Sequence, residues 1–197
     1  MKCNKQKLIA DIVLQCVKNH ITFVMSDKDH VMADGIKCSG FYDDSVLSIA
    51  TGREDWLDVL VHESCHMDQS LEQVPLWTQG DSGIQKVDKW LKNNKSYGDK
   101  IMQTAFRDTI LLELDCEKRT IKKFKKYQVP LNEKNYIQKC NAYLFSYWAS
   151  YRSKQWVLFP YNNPKIVGKM PCKFLGKEEY NKPDSMHVST VLEGCSS

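Results

Sequence analysis

Hydrophobic residues recur at helical spacing in four stretches of the chain. The first stretch runs from about Lys5 to Asn19, and the second from about Glu54 to Glu72. Two longer stretches run from about Lys100 to Tyr127 and from Asn132 to Ser153, with Pro130 between them. In each, apolar side chains return every three or four residues, which is the period of an α-helix. The pattern therefore predicts four helices.

Shorter apolar runs before Glu54 are typical of strands. Ile21–Met25 predicts one strand. A hairpin follows, with one arm at about Gly35–Tyr42, a turn at Asp43–Ser45 and a second arm at Val46–Ala50. With the helices, these runs predict an α+β fold that is mostly helical, with a small antiparallel sheet preceding the second helix.

Two regions carry weaker patterns. The segment Val74–Asp99 contains one proline and three glycines and predicts only a short helix at Ile84–Leu91. This segment, with two tryptophans, either walls a cleft or is a packed loop. The tail after Trp156 holds four prolines and is predicted to be mostly irregular. At 197 residues, the chain is predicted to be a single domain, residues 1–197.

Composition narrows the class of protein without selecting a partner. A hydrophobic content of 42% indicates a globular chain, and a net charge of +4 does not require nucleic acid or a membrane. No apolar run reaches the roughly 18 residues of a membrane span, and no signal-peptide pattern is seen. The eight cysteines form no C-x-x-C pair. We therefore expect a cytoplasmic protein whose cysteines are mostly reduced.

The second predicted helix contains the most informative motif, His62-Glu63-Ser64-Cys65-His66, which has the form H-E-x-x-H. Residues four apart share a helical face, so His62 and His66 can bind one metal ion, with Glu63 beside a metal-bound water. The alternative is two surface histidines with an acid nearby by chance. That alternative fits poorly because a second apolar stripe indicates a buried helix. The stripe consists of Trp56, Leu60, Met67 and Leu71.

A catalytic zinc site usually needs a third protein ligand. A third histidine in the pattern H-E-x-x-H-x-x-G-x-x-H is ruled out, because Gln69 and Glu72 occupy the decisive positions. The third predicted helix offers two acids on an apolar face, and burying a carboxylate is costly without a metal or a cation. That face contains Phe106, Ile110, Glu113, Glu117, Ile121 and Phe124. Asp115 points about 200° away from Glu113 and is rejected. The alternative is that both acids pair with Lys or Arg.

These segments resemble the small gluzincin-type zincin metallopeptidases. The resemblance covers roughly residues 35–125: the hairpin of Ser39–Asp43 and Val46–Ala50, then His62–His66, then Glu113–Glu117 in an E-x-x-x-D/E pattern. That family often has Ala-Asp where this chain has Cys116-Glu117. It also has no counterpart that we can assign to the segment from Val74 to Asp99.

The resemblance implies a Zn²⁺ cofactor and hydrolysis of peptide bonds in a peptide or protein substrate. It implies His62, His66 and Glu113 as zinc ligands, and Glu117 as the acid that orients a zinc-binding histidine. Glu63 is expected to be the general base. An edge strand commonly binds an extended substrate by strand addition in this kind of fold. That role is predicted for the strand residues Val46, Leu47, Ser48 and Ile49.

The donor that stabilises the oxyanion is less well defined. His187 and Tyr147 are candidates. Tyr147 also belongs to a helical stripe with Tyr143 and Tyr151, which indicates an aromatic core. His187 lies in the predicted irregular tail, where a surface position is the simpler interpretation. Cys65 is predicted to be a packing residue, since it lies off the two-histidine face.

Two other functions remain open. One is a catalytically inactive zincin-like interaction module with a structural zinc. The other is a nucleic-acid-associated protein that uses the basic helix end at residues 118–126. Cations near a helix C-terminus also complement the helix macrodipole, so a solvated basic end is the simpler interpretation. Nucleic acid is therefore predicted to be an unlikely partner.

Overall fold

A computed structural model describes residues 4–33, 35–92 and 95–195. The described residues form two compact units. The first comprises the described residues up to Val74 together with Cys116–Leu131, and the second comprises the rest. The structure is mostly helical with small sheets, so the predicted α+β class is confirmed.

The first unit contains all the described strands. Its elements up to Val74 are α1 (Lys5–Lys18), β1 (Thr22–Ser26), β2 (Val31–Ala33), β3 (Ile36–Cys38), β4 (Gly40–Tyr42), β5 (Val46–Ala50) and α2 (Trp56–Leu71). The predicted first two helices and the predicted first strand lie within two residues of α1, α2 and β1. The long helix α4 (Asp99–Lys126) belongs to both units, since it begins in the second unit and ends in the first.

The sheet differs from the purely antiparallel one predicted. Its strand order is β1-β5-β4, with β5 parallel to β1 and antiparallel to β4. The predicted arm Gly35–Tyr42 is two strands, since β3 pairs instead with β2 in a separate two-stranded sheet. The turn between β4 and β5 lies where it was predicted. There Asp43 Oδ1 accepts hydrogen bonds from the backbone N–H groups of Ser45 at 3.1 Å and Val46 at 2.8 Å.

β5 lies in the centre of this sheet, and the expectation of an edge strand is wrong. Its backbone N–H and C=O groups pair with β1 on one side and β4 on the other. A strand with both sides paired has no ladder hydrogen bonds left for an added peptide. A peptide therefore cannot add to the strand formed by Val46, Leu47, Ser48 and Ile49. The backbone of these residues pairs within the sheet, and the side chains of Leu47 and Ile49 pack in the core.

Apolar side chains from the helices and the central strand form the core of the first unit. The fully buried members include Leu8 and Cys16 of α1, Leu47 and Ile49 of β5, and Leu60, Val61 and Met67 of α2. Phe124, near the end of α4, belongs to the same cluster. The helix that carries the H-E-x-x-H motif is thus held on its apolar side by the sheet and α1. Of the predicted second stripe, Leu60 and Met67 are buried and Trp56 packs against the cluster, but Leu71 is exposed.

Gly40 sets how closely β4 approaches α2. A Cβ at this position would lie 2.8 Å from Val59 Cγ1 and 3.0 Å from the backbone oxygen of Ser48. We expect Gly40→Ala to lower the free energy of unfolding by about 1–3 kcal/mol, because the added methyl overpacks the contact. Urea denaturation measures this. Gly98→Ala is the matched control, since a Cβ there would meet nothing within 4 Å. Equal stability of the two variants would contradict the prediction.

The second unit is built from helices. Besides the start of α4, it contains α3 (Pro75–Leu91), α5 (Glu133–Ser153), a 3-10 turn (Pro160–Asn162), α6 (Pro164–Val167), α7 (Lys177–Tyr180) and α8 (Met186–Cys195). The predicted fourth helix matches α5. The short helix predicted at Ile84–Leu91 is the second half of α3. The tail, predicted to be mostly irregular, contains the three short helices α6, α7 and α8 with irregular segments between them.

Aromatic rings fill the core of the second unit. Phe106 stacks on Trp148 with ring centroids 5.9 Å apart, and Trp90 meets Phe106 edge to face at 6.0 Å. Trp90 of α3 also stacks on Tyr151 at 5.8 Å. The segment from Val74 to Asp99 therefore contains a packed helix, and its second tryptophan belongs to that helix's contacts with the core.

Candidate metal centre

α2 places His62 and His66 one helical turn apart on the same face. Their ring centroids are 4.8 Å apart and their planes stand at 83° to each other. His66 is buried, with 8% of its surface exposed, and the side chain of His62 is 17% exposed. Two imidazoles at this separation are therefore partly withdrawn from water and converge on one region beside the helix.

Glu117 of α4 contacts the first of these histidines. Its Oε1 atom lies 3.2 Å from Nδ1 of His62, and the glutamate side chain is 7% exposed. An ionised carboxylate only accepts hydrogen bonds, so this contact requires a proton on Nδ1 of His62. The lone pair of the neutral ring is then carried by Nε2, the other nitrogen. The predicted pairing of Glu117 with a motif histidine has the geometry that an orienting role needs.

Gln69 makes the equivalent contact to the second histidine. Nδ1 of His66 lies 2.8 Å from Oε1 of Gln69, which is fully buried. An amide oxygen accepts, so this contact also places the proton on Nδ1 and the lone pair on Nε2. This role of Gln69 was not predicted, although Gln69 follows His66 by three residues and therefore lies next to it on the helix.

Cys116 lies beside His62 and was also missed. Its Sγ atom is 3.2 Å from the backbone oxygen of His62, to which the thiol donates, and 3.6 Å from Nδ1. Ligand atoms of His62, His66 and Cys116 lie within 4.8 Å of one another. Because Cys116 belongs to another helix, helical spacing within α2 gives no signal for it. The sulfur lies on the Nδ1 side of the His62 ring, next to Glu117.

Cys65 packs behind the motif, as predicted. It is fully buried, and its sulfur accepts a hydrogen bond from Thr120 Oγ1 at 3.6 Å. Hydrogen bonding to Cys116, with burial opposing it, lowers the pKa of the Cys65 thiol to about 7. Through Cys116 and Thr120, Cys65 therefore contacts the C-terminal half of α4.

Glu63 faces a different part of the first unit from Cys65. Its side chain is partly exposed. Burial first, and the negative charge of Glu63 second, raise the pKa of the Cys38 thiol on β3. The Glu63 carboxylate therefore lies close enough to β3 to affect the Cys38 thiol, and it is next in sequence to His62. Its partial exposure to solvent suits a group that accepts a proton from water.

Charged pairs fasten α2 to the C-terminal half of α4. Lys123 Nζ lies 2.7 Å from Asp68 Oδ2 and 3.0 Å from Ser64 Oγ. Arg119 pairs with Glu72 at 2.7 Å. Lys123 is only 15% exposed, so its pairing is less screened by solvent than a surface ion pair. These contacts fix the position of the helix that supplies Glu117 relative to the helix that supplies the histidines.

The remaining predicted site residues lie in the second unit. Glu113, one turn before Glu117 on α4, is buried, and its Oε1 accepts a hydrogen bond from Tyr147 at 3.5 Å. The hydroxyls of Tyr143 and Tyr147 are 2.7 Å apart. Burial chiefly, with the charge of Glu113 adding to it, raises the pKa of Tyr143. Tyr147 is buried as well, in keeping with the predicted aromatic stripe.

His187 lies on α8, not in an irregular tail. Its ring packs against Phe145, with centroids 4.9 Å apart. Burial lowers the pKa of His187. The structure therefore gives His187 a packing role in the second unit, and its role as an oxyanion donor stays a prediction.

No protein-family model matches this chain, and neither a curated protein nor a solved structure matches it. Within residues 4–33, 35–92 and 95–195, none of the helices combines the length and apolar character needed to cross a membrane. The functional assignment therefore depends on the chemistry of the site itself.

Proposed function

We propose that the protein is a zinc-dependent metallopeptidase of zincin type. One observation carries the proposal: both motif histidines have Nδ1 held by a side-chain oxygen, from Glu117 and from Gln69. Each ring is thereby set in the tautomer whose Nε2 can donate to a metal, and ligands held in this way bind zinc more tightly. The proposed compartment is the cytosol, in keeping with the thiol state of the described cysteines.

The donor set suits zinc. Neutral imidazole nitrogens are preferred zinc ligands, and a catalytic site adds a third protein ligand while leaving a position for water. We assign His62 and His66 as two ligands. Glu113 is proposed as the third on the resemblance to gluzincins and on its burial. Cys116 is the competing choice, but its thiol donates to the oxygen of His62, whereas a cysteine ligand is a thiolate.

The chemistry would divide between the metal and Glu63. When bound, zinc supplies a Lewis acid that lowers the pKa of water toward about 7 and polarises a carbonyl. Glu63 accepts the proton of the attacking water and returns it to the leaving amine. Glu117 and Gln69 hold the imidazoles in one tautomer throughout. His187 and Tyr147 remain the candidate oxyanion donors.

A substrate strand would pair with β4 instead of β5. β4 is an edge of the three-stranded sheet, and the close approach of Gly40 to Val59 places it against α2. An extended peptide added to an edge strand gains backbone hydrogen bonds. We therefore propose the β4 edge as the place where the peptide substrate is aligned.

A cleavage assay tests the proposed function. The purified protein, loaded with zinc, is incubated with a mixture of unstructured peptides, and products are identified by mass spectrometry. We expect new peptide termini that disappear with a zinc chelator and return when zinc is restored. Stoichiometric zinc without any cleavage would instead support the structural-zinc alternative, which the proximity of Cys116 to both histidines favours. Absence of zinc binding would overturn both.

A further inference from the structure

The first unit contains a cavity away from the motif histidines. It has a volume of about 280 Å³, close to the lower end of the range for small-molecule sites. α1 supplies its apolar floor with Leu8 and Ile12, both buried. α4 supplies a basic wall that consists of Arg119, Lys122, Lys123 and Lys126. The cavity thus combines an apolar base with four cations on one side.

The acids that line the cavity are already engaged by other groups. Asp11 accepts a hydrogen bond from the Tyr127 hydroxyl at 2.7 Å. Asp68 pairs with Lys123 at 2.7 Å and accepts from Gln15 Nε2 at 2.8 Å. The lining holds four cations and two carboxylates, a formal excess of two positive charges.

Arg119 pairs with Glu72, outside the lining, and Lys123 pairs with Asp68, so the other two lining cations are Lys122 and Lys126. Both side chains are exposed, and in the described part of the chain neither makes an ion pair. The ammonium group of Lys126 lies 5.3 Å from the ring centroid of Tyr127. The two lysines are one turn apart on α4, where like charges repel each other unless an anion lies between them.

The helix macrodipole does not explain this arrangement. It favours cations only in the last turn of a helix, which here includes Lys123, Lys125 and Lys126. Arg119 and Lys122 lie before that turn, yet both line the cavity, whereas Lys125 lies in the turn and does not. The macrodipole therefore accounts for Lys123 and Lys126 but not for Arg119 and Lys122, which also line the cavity.

We propose that this cavity binds a phosphorylated small molecule, with its phosphate between Lys122 and Lys126 and its apolar part on Leu8 and Ile12. Ammonium groups that flank a concave site recognise phosphate as point charges, and Arg119 adds a planar guanidinium on the same wall. This inference is independent of the proposed peptidase activity, because its ligand-binding residues are separate from the motif histidines and Glu63.

Calorimetric titration with inorganic pyrophosphate at low ionic strength tests the inference. We expect saturable binding with one ligand per chain, weakened at least tenfold in the double variant Lys122→Gln/Lys126→Gln. Both lysines are exposed, so the variant is expected to fold, and circular dichroism checks that it does. The control is Lys125→Gln/Lys134→Gln, which removes the same charge from two exposed lysines outside the cavity lining.

Three results would overturn the inference. One is the absence of saturable binding by the wild-type protein, and a second is an equal loss of affinity in both double variants. The third comes from a parallel titration with single-stranded RNA. If RNA binds and pyrophosphate does not displace it, the basic face binds a polymer backbone and the small-molecule site is wrong.

Discussion

Glu63→Gln is expected to abolish peptide hydrolysis while zinc binding is retained. Glutamine has nearly the same shape as glutamate but does not accept a proton, and loss of a general base typically costs about 10²–10⁴ in rate. Glu63 is no part of the proposed ligand set, so the metal site stays intact. Steady-state cleavage of a fluorogenic peptide gives kcat/KM, and elemental analysis of the same sample gives the zinc content.

Glu54→Gln is the matched control for this experiment. Glu54 is exposed and precedes α2, so its replacement removes the same charge close to the motif without reaching the metal. We expect its cleavage rate to equal that of the unmodified protein. If Glu63→Gln cleaves as fast as Glu54→Gln, Glu63 is not the base and the proposed mechanism fails.

Zinc content is expected to fall in a graded way across a second series of variants. His62→Ala removes a ligand, and we expect the purified protein to lose its zinc. Glu117→Gln removes the carboxylate that holds Nδ1 of His62, and we expect affinity to drop by about 10–100-fold. Competition with a chromophoric zinc chelator measures both. His30→Ala and Asp115→Asn, which lie outside the proposed site, serve as controls and should bind zinc normally.

Two further variants in this series decide the third ligand. If Glu113 is the ligand, Glu113→Gln should lose zinc and Cys116→Ser should keep it. The reverse outcome would assign the metal to His62, His66 and Cys116, whose ligand atoms lie within 4.8 Å of one another. If His62→Ala keeps full zinc affinity, the metal lies elsewhere and the proposed site is wrong.

The helices with clear amphipathic patterns could be predicted from the sequence, and those rich in glycine could not. α3 was recognised only in its second half because Gly80 and Gly83 have poor helix propensity. Both glycines are buried, and a Cβ on Gly80 would lie 2.5 Å from Leu112 Cβ. Close helix packing explains these glycines, and this tertiary reason is invisible to a local pattern. The short helices of the tail were also not predicted, because the prolines there indicated irregular backbone.

The sheet shows a second limit. The alternating pattern located β5 correctly, but no local signal states which strands flank it. Whether a strand is central or at an edge depends on which strands pair with it. The parallel partner of β5, β1, lies more than 20 positions earlier in the chain, beyond the reach of a local pattern. In the structure, β5 is almost entirely buried and β4 only partly, as expected of a central and an edge strand.

Helical periodicity predicted the parts of the candidate metal site that lie on one helix, but not the contacts between helices. Spacing within α2 placed His62 and His66 together, and the same rule would have found Gln69. Spacing within α4 selected Glu113 and Glu117 as buried positions, which the structure confirms. Cys116 was missed because its neighbour His62 is 54 positions away, and only folding brings the two together.

If the protein binds zinc as proposed, that separation in sequence makes metal binding depend on folding. The groups around His62 come from two segments that meet only in the native first unit, so an unfolded chain offers a far weaker site. A ligand that binds only the native form raises its melting temperature in proportion to the logarithm of ligand concentration. Zinc would therefore act as a conditional stabiliser of this unit, and depletion of the ion would expose the unit to proteolysis as well as stop cleavage.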